Sequence, residues 1–327
     1  MSDEPPEDLL DTVVPAPLAG ERVDRALSLL TGLSRRAVAA MVEEGRVTVD
    51  GRPVTTRSRA LAGGETLRVS AGAPPDDGPR PDPAVEFAVV HADPQLVVVD
   101  KPPGLVVHHG AGHGGGTLVD GLLARFPDLA ALAAGGTGDP GRPGVVHRLD
   151  KGTSGLMVVA RTPDAYRSLT AQLRQRRAGR RYRALVAGIL EAETGVVDAP
   201  VGRSARRPTA MAVTAAGRPA RTTYRVLLRF GAPMEATLVE ATLETGRTHQ
   251  IRVHLAAIGH PVLGDDRYGG RLAHPRRVTE ALGPGRLFLH AGLLELDHPD
   301  GSGRRTWTSP LPPDLAAVLD DLQVTPR

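Results

Sequence analysis

The chain has 327 residues, no cysteine, 3% aromatic residues and a formal net charge of +3. Two domains are the expected organisation at this length, and the lack of cysteine excludes disulfides, thiolate nucleophiles and Cys-ligated metal centres. No apolar run approaches the ~20 residues that span a bilayer, and the acidic start has neither the basic nor the apolar region of a signal peptide, so a soluble cytoplasmic protein with no membrane partner is expected.

In chain order, Asp3, Glu4, Glu7, Asp8 and Asp11 make residues 1–17 an acidic arm. Residues 18–73 read as a small α+β module. Val23, Ala26, Leu27 and Leu30 lie on one helical face. A second helix is predicted from Ser34, its N-cap, with Val38, Met41 and Val42 turned inward and a stop at Gly45. Val47 to Val49 then alternates as a strand into the hairpin signal Asp50-Gly51. Arg35 and Arg36 open the second helix, where the macrodipole disfavours cations by ~0.3–1 kcal/mol each. They are candidates for phosphate contact, the alternative being two solvated side chains.

Residues 74–84, dense in proline and aspartate, read as a linker, and residues 85–327 as the larger domain. Phe87 to Val90 and Leu96 to Val99 are predicted to form a hairpin through Asp93-Pro94. Further strands are predicted at Leu156 to Val159, Leu185 to Val186, Tyr224 to Leu228 and Ala236 to Leu243, and loops at His108 to Gly116 and Gly135 to Gly144. Helical segments are fewer, which points to an α+β domain on a mixed, mainly antiparallel sheet.

Arginine supplies nearly all the cations. Arg174, Arg176, Arg177, Arg180, Arg181 and Arg183 crowd one segment, and Arg203, Arg206, Arg207, Arg218 and Arg221 follow. Charge alone is compatible with a solvated surface; the clustering costs self-repulsion unless anions meet it, which favours RNA as the partner. With so few aromatics a base-stacking platform is disfavoured, and a folded RNA gripped by its backbone fits better. Arg177, Arg180 and Arg181 join Arg35 and Arg36 as RNA-binding candidates.

Between two apolar runs lies His147-Arg148-Leu149-Asp150-Lys151-Gly152-Thr153-Ser154-Gly155, which on residue types alone is either an ordinary polar connector with Asp150 capping a turn or a charged loop held by buried strands, as active sites usually are. The chain has only two lysines, Lys101 and Lys151, and both fall in such motif-like segments. From Thr245 onward a helix capped by Thr248 is predicted, its apolar face Ile251, Leu255 and Ile258, with His249 and Arg252 together on the adjacent face and Gly259 and Pro261 ending it. On its own Arg252 reads as a surface helix arginine, although a carboxylate held in a largely dry pocket would need such a fixed cation to stay ionised. Tyr182 precedes an apolar strand and either projects into the cleft or packs in the core.

HRLDKGTSGLMVVA closely resembles the signature loop of the RluA/RluD family of pseudouridine synthases. VVDKPPGLVVHHG, RRYRALVAG, TGRTHQIRVHLAAIGHPVLGDDRYGG and Leu289-His290-Ala291 resemble its other motifs in order, with His109 standing where the first motif usually has proline. VDRALSLL, GLSRRAVAAMVEEGRVTVDG and GGETLRV resemble the S4 RNA-binding module in front.

The resemblance implies isomerisation of uridine in RNA: the N1–C1′ bond breaks, the uracil turns and C5 bonds to C1′, with no net redox change and no cofactor or metal required. It implies Asp150 as nucleophile, at either C6 of the base or C1′ of the sugar. Tyr182 would stack on the uracil and help remove the C5 proton, Arg252 would pair with Asp150, and Ile251 would wall the base. Because the target base must be flipped out of its fold, Arg148 would enter the gap it leaves. Lys101, His147 and Lys151 complete the substrate-binding set, His147 by shaping the loop.

An appended S4 domain and this length look most like the family member acting on a large-subunit ribosomal RNA stem-loop at the subunit interface, so that RNA or its precursor particle is the expected partner of a monomeric protein. Two other classes stay open: a non-catalytic RNA-binding ribosome assembly factor, and a nucleoside hydrolase releasing uracil. The histidine groups His108, His109, His113 and His249, His254 are discounted as metal sites because neither comes with a zinc-hydrolase pattern.

Overall fold

Apolar positions of helical period and of strand period build separate cores in two compact units, residues 1–77 and 78–327. The computed structural model describes residues 8–70, 79–108, 116–207, 209–231, 234–273 and 275–323.

In the first unit, strand β1 (Asp8–Val13) is followed by helices α1 (Val23–Thr31) and α2 (Arg35–Glu43), then β2 (Val47–Val49), β3 (Arg52–Pro53) and β4 (Thr66–Ser70). The sheet order is β1-β4-β2-β3. Ser34 caps α2 by accepting the Ala37 N–H at 3.2 Å, and Asp50 and Gly51 both adopt the left-handed backbone of a tight hairpin turn. Val23, Ala26, Leu27, Val38, Met41 and Val42 meet the strands in one buried cluster. The acidic composition of residues 1–17 suggests an arm, yet residues 8–13 pair with β4 and Val14 is buried, because Leu10, Thr12 and Val14 alternate with exposed neighbours and serve a sheet edge.

The larger unit begins with β5 (Ala88–Ala92) and β6 (Leu96–Lys101), joined by a turn in which Asp93 accepts the Gln95 and Leu96 N–H groups. Next come α3 (Leu118–Arg125), α4 (Leu129–Ala134), β7 (Ser154–Ala160), α5 (Pro163–Arg174) and β8 (Gly179–Ala187). After these follow β9 (Thr194–Asp198), β10 (Val201–Arg203), β11 (Met211–Val213), β12 (Arg221–Phe230) and β13 (Ala236–Leu243). Helix α6 (Gln250–Ala257), α7 (Arg276–Leu282), β14 (Leu289–Asp297), β15 (Arg304–Thr308) and α8 (Pro313–Gln323) complete it. The main sheet runs β5-β6-β7-β14-β8-β13-β12-β9 with β15 on β14. Of its described pairings only β7 with β14 is parallel, so the sheet is mixed and mainly antiparallel.

Within the segment read as a linker, residues 74–78 lie outside the described residues, while Arg80 and Asp82 are tied to Asp120 of α3. No helix among the described residues is long and apolar enough to cross a membrane.

Strand β7 is buried along its whole length, as expected for a central strand covered on both faces. Gly155 sits at its start with φ +115°, and a Cβ there would stand 2.4 Å from the Ala291 carbonyl oxygen. Close approach of β7 to β14 therefore demands glycine, and the loop that precedes β7 inherits a fixed exit.

Candidate active site

The loop of residues 147–153 enters β7 and is fastened from several sides. His147 Nε2 accepts the Val158 N–H at 3.1 Å, and burial followed by the Arg180 charge lowers its pKa to about 3, so the ring is neutral. Arg286 donates to the Gly152 carbonyl and to Ser154 Oγ, both at 3.0 Å, and is itself paired with Asp314. Gly104 N–H donates to the Lys151 carbonyl at 2.7 Å. Lys101, with no exposed surface, donates from Nζ to the carbonyls of Pro102 (2.8 Å), Leu105 (2.9 Å) and Lys151 (3.4 Å). These bonds leave Asp150 at the loop's tip.

Asp150 Oδ2 accepts from Arg252 Nη1 at 2.9 Å, while Oδ1 stands 3.8 Å from His249 Nε2. Arg252 is gripped from its other side by Asp265, which accepts Nε at 2.7 Å and Nη2 at 2.9 Å in the two-pronged geometry suited to a guanidinium. Burial works against the Arg252 charge, yet Asp265 and Asp150 together hold its pKa above the ordinary arginine value. Burial alone would raise the Asp265 carboxyl; its bonds from Arg252 and from the Tyr268 and Arg267 amides bring it below its usual range. The Tyr268 ring lies 4.9 Å from the Arg252 guanidinium carbon.

Tyr182, on β8, is 5% exposed and belongs to the central apolar cluster, yet it also lines the cleft beside Asp150. Burial raises its pKa and Asp150 adds to the shift, against Arg180. The phenol is thereby held protonated in the resting site. The cleft, about 520 Å³, adjoins a recess of about 50 Å³. The two share Arg148, Asp150, Tyr182, Leu243 and Arg247, and His249 and Ile251 line the recess.

Asp150, Arg252, Tyr182, Ile251, His147 and Arg148 are thus brought to one place. Arg148 is exposed at the rim, its Nη1 3.0 Å from His108 Nε2. Lys101 is not: its ammonium is spent on carbonyls beneath the loop, so it supports the site without facing a substrate. Lys151 is exposed but does not line the cleft. The arginine tract is divided by the pleat of β8, with Arg180 and Tyr182 buried on one face and Arg181 and Arg183 exposed on the other. Arg181 therefore points away from the site. Arg180 lines the cleft with its Nε buried and without a hydrogen-bond partner among the described residues, and burial lowers its pKa. Arg177 is paired with Asp297. The side chains of Arg35 and Arg36 lie outside the described residues.

Thr248 does not cap α6. His249 holds the N-cap position with a left-handed backbone (φ 57°) and no capping side-chain bond. Helix α6 is buried nearly all round, from Gln250 through Leu255, and Ile258, expected on its apolar face, is 38% exposed at its C-cap. The sequence reading missed Asp265 and Tyr268, and with them the cleft-lining Arg142 and Arg247. Asp265 and Tyr268 stand in GDDRYGG, where an acidic pair in a glycine-flanked turn just past the helix was the available signal.

Among the histidines discounted as metal ligands, His109 and His113 lie outside the described residues. His254 is buried and bonded to Thr222 Oγ1 and the Ala199 carbonyl. A different group, His91, Asp93 and His298, brings three donor atoms within 4.8 Å of one another among the described residues. There Asp93 Oδ2 lies 2.7 Å from one imidazole and 2.8 Å from the other, and none of the three lines the cleft.

Residues 95–257 match the RNA pseudouridylate synthase family and residues 21–67 the S4 domain. The chain is 44% identical to ribosomal large subunit pseudouridine synthase D of Nitrosomonas europaea, over 98% of this chain and 90% of that one. It is 42% identical to the protein of the same name in Pseudomonas aeruginosa, over 95% and 94%. Among solved structures it is similar to human RNA pseudouridylate synthase domain containing 4, with TM-score 0.54 and 27% identity over 72% of this chain and 93% of that one. Human RNA pseudouridylate synthase domain containing 1 gives TM-score 0.53 and 26% identity over 76% and 98%.

Proposed function

The chain belongs to the RNA pseudouridylate synthase family, isomerases that act on RNA, and from that premise we propose that it converts uridines of large-subunit ribosomal RNA to pseudouridine with Asp150 as the attacking carboxylate. The target class is supported by the names of relatives that match over nearly their whole length. The catalytic assignment is carried by one observation: Asp150 commits Oδ2 to Arg252, while among the described residues Oδ1 has no hydrogen bond and stands 3.8 Å from His249 Nε2. Glu244, the other carboxylate of the cleft lining, is taken up by Arg176 and Arg221.

In this reading Arg252 neutralises the carboxylate without occupying both oxygens, and Asp265 keeps Arg252 from closing on Oδ1. The Tyr182 ring receives the flipped uracil, and Ile251 supplies an apolar wall. As N1–C1′ breaks and C5–C1′ forms, N1 gains a proton and C5 loses one, so the reaction balances within the base and solvent. Arg148 at the rim occupies the gap in the RNA, while Arg142, Arg174 and Arg247 around the cleft meet phosphates. The S4 unit adds RNA affinity of its own.

Asp150→Asn preserves shape and removes the charge. Pseudouridine formation on large-subunit ribosomal RNA should be abolished while RNA affinity stays within about tenfold, ~1.4 kcal/mol. Tritium release from RNA labelled at uracil C5, run beside filter binding, measures both. Substantial release by the variant removes Asp150 from the mechanism, and free uracil from the wild type replaces isomerisation with hydrolysis.

A further inference from the structure

His249 takes no part in the roles assigned so far, yet its geometry is constrained from both backbone and side chain. Its backbone is left-handed, a region where a residue with a side chain persists only when its surroundings insist. Its Nδ1 is 2.6 Å from the Tyr268 hydroxyl. That hydroxyl oxygen accepts the Met211 N–H at 3.0 Å, and among the described residues Nδ1 is the acceptor within reach of its own hydrogen. With that hydrogen given to Nδ1, the ring proton resides on Nε2.

Burial lowers the His249 pKa, with Arg252 and Arg267 adding to the shift and Asp150 and Asp265 opposing it, so the ring is neutral and carries one N–H. That N–H faces Asp150 Oδ1 from 3.8 Å, beyond hydrogen-bond reach. Both groups line the recess that adjoins the cleft. A donor of fixed tautomer is thus left unspent beside the proposed nucleophile.

We propose that His249 donates its Nε2 hydrogen to a carbonyl oxygen of the target uracil. The proposal rests on the reading of this site as one that isomerises uridine. Attack at C6 or departure of the base from C1′ alike drives negative charge onto the uracil carbonyl oxygens, and a preorganised N–H stabilises that charge more in the transition state than in the ground state. His249 is a catalytic residue by contact with the base. Tyr268 and the Met211 amide of β11 are positioning groups that set the tautomer.

The sharp variant is His249→Asn. Asparagine tolerates the left-handed backbone, and its amide oxygen can still accept from Tyr268, but it has no atom where Nε2 stands. On unmodified large-subunit ribosomal RNA its kcat should fall about 100-fold with RNA affinity unchanged within twofold, and His249→Gln, which restores a donor near that place, should recover part of the loss. Placing sulfur, a weaker acceptor, at C2 or C4 of the target base tests the contact itself. One of these substitutions should slow the wild type and add little to the slowing of His249→Asn.

Tyr268→Phe keeps the ring on Arg252 and frees the tautomer, so the nitrogen-15 imidazole spectrum, assigned by loss of the signal in His249→Gln, should show Nε2–H alone in the wild type and a mixture in Tyr268→Phe. Full turnover by His249→Asn, sulfur effects that add to the variant at both positions, or an Nδ1–H wild type each overturns the proposal. The wild type serves as its own control: if it makes no pseudouridine in the same assay, the reading of the site fails and not the role of His249.

Discussion

At the foot of the Asp150 loop a buried cation, Lys101, meets only carbonyl oxygens; at the tip a buried cation, Arg252, meets two carboxylates. Their electrostatics diverge accordingly. Burial lowers the Lys101 pKa to about 7, Arg286 adding to the shift and Asp150 and Asp100 opposing it, whereas Arg252 is held above its ordinary value. Three carbonyls match three ammonium hydrogens, so the foot fixes geometry with dipoles. The tip fixes charge, because two carboxylates flank a guanidinium that cannot lose its proton. A loop that must place a reactive carboxylate is thus anchored by one kind of cation and tuned by the other.

Removing the tip cation should break the comparison most severely. Arg252→Met leaves Asp150 and Asp265 facing each other without a cation, and turnover should fall about 10³-fold or more while RNA affinity changes little. Urea unfolding should show a loss of about 3–5 kcal/mol, the cost of breaking a buried charge cluster. Asp265→Asn, which loosens Arg252 without removing it, should lie between this variant and wild type in rate. Normal turnover by Arg252→Met would detach the tip from catalysis.

The foot should respond in stability before rate. Lys101→Met orphans the Pro102 and Leu105 carbonyls at about 1–3 kcal/mol each, while the Lys151 carbonyl keeps the Gly104 N–H; offset in part by no longer burying a charge, the net loss should be about 2–4 kcal/mol in denaturant titration. Turnover should fall by about tenfold through displacement of the loop. A variant as stable as wild type would show that the carbonyl cage contributes nothing.

The foot should also respond to pH. The folded pKa of Lys101 near 7 lies below the unfolded 10.5, so the unfolded chain binds the extra proton between them. Wild-type stability relative to Lys101→Met should therefore decline as pH falls from about 10.5 to 7 and level off below that. A flat difference across this window would mean the carbonyl cage holds the ammonium at its ordinary pKa.

Much of this site was legible from sequence because it is local. Asp150 sits in a loop framed by apolar runs, and the spacing of His249 and Arg252 places them side by side. Asp265 was not legible, since its contact with Arg252 depends on the chain turning back after Pro261. Charge density in the tract could not tell Arg180 from Arg181, whereas the period of two in GRRYRALVA puts residues 180 and 182 on one face and 181 on the other. The scarcity of lysine was a true signal read in the wrong direction at Lys101. A compact ammonium fits a cage of carbonyls where a flat guanidinium does not, so the residue persists for packing. Thr248 failed as a cap because His249 takes a conformation that no propensity argument assigns to it.

Burial of Lys101 has a practical corollary. Of the two lysines in the chain, one has no exposed surface and the other, Lys151, is exposed next to Asp150. Apart from the chain's α-amino group, an amine-directed acylating dye would thus find a single address, one residue from the proposed nucleophile. Protection of that address by RNA would report docking against the Asp150 loop in the unmutated protein, with no engineered handle.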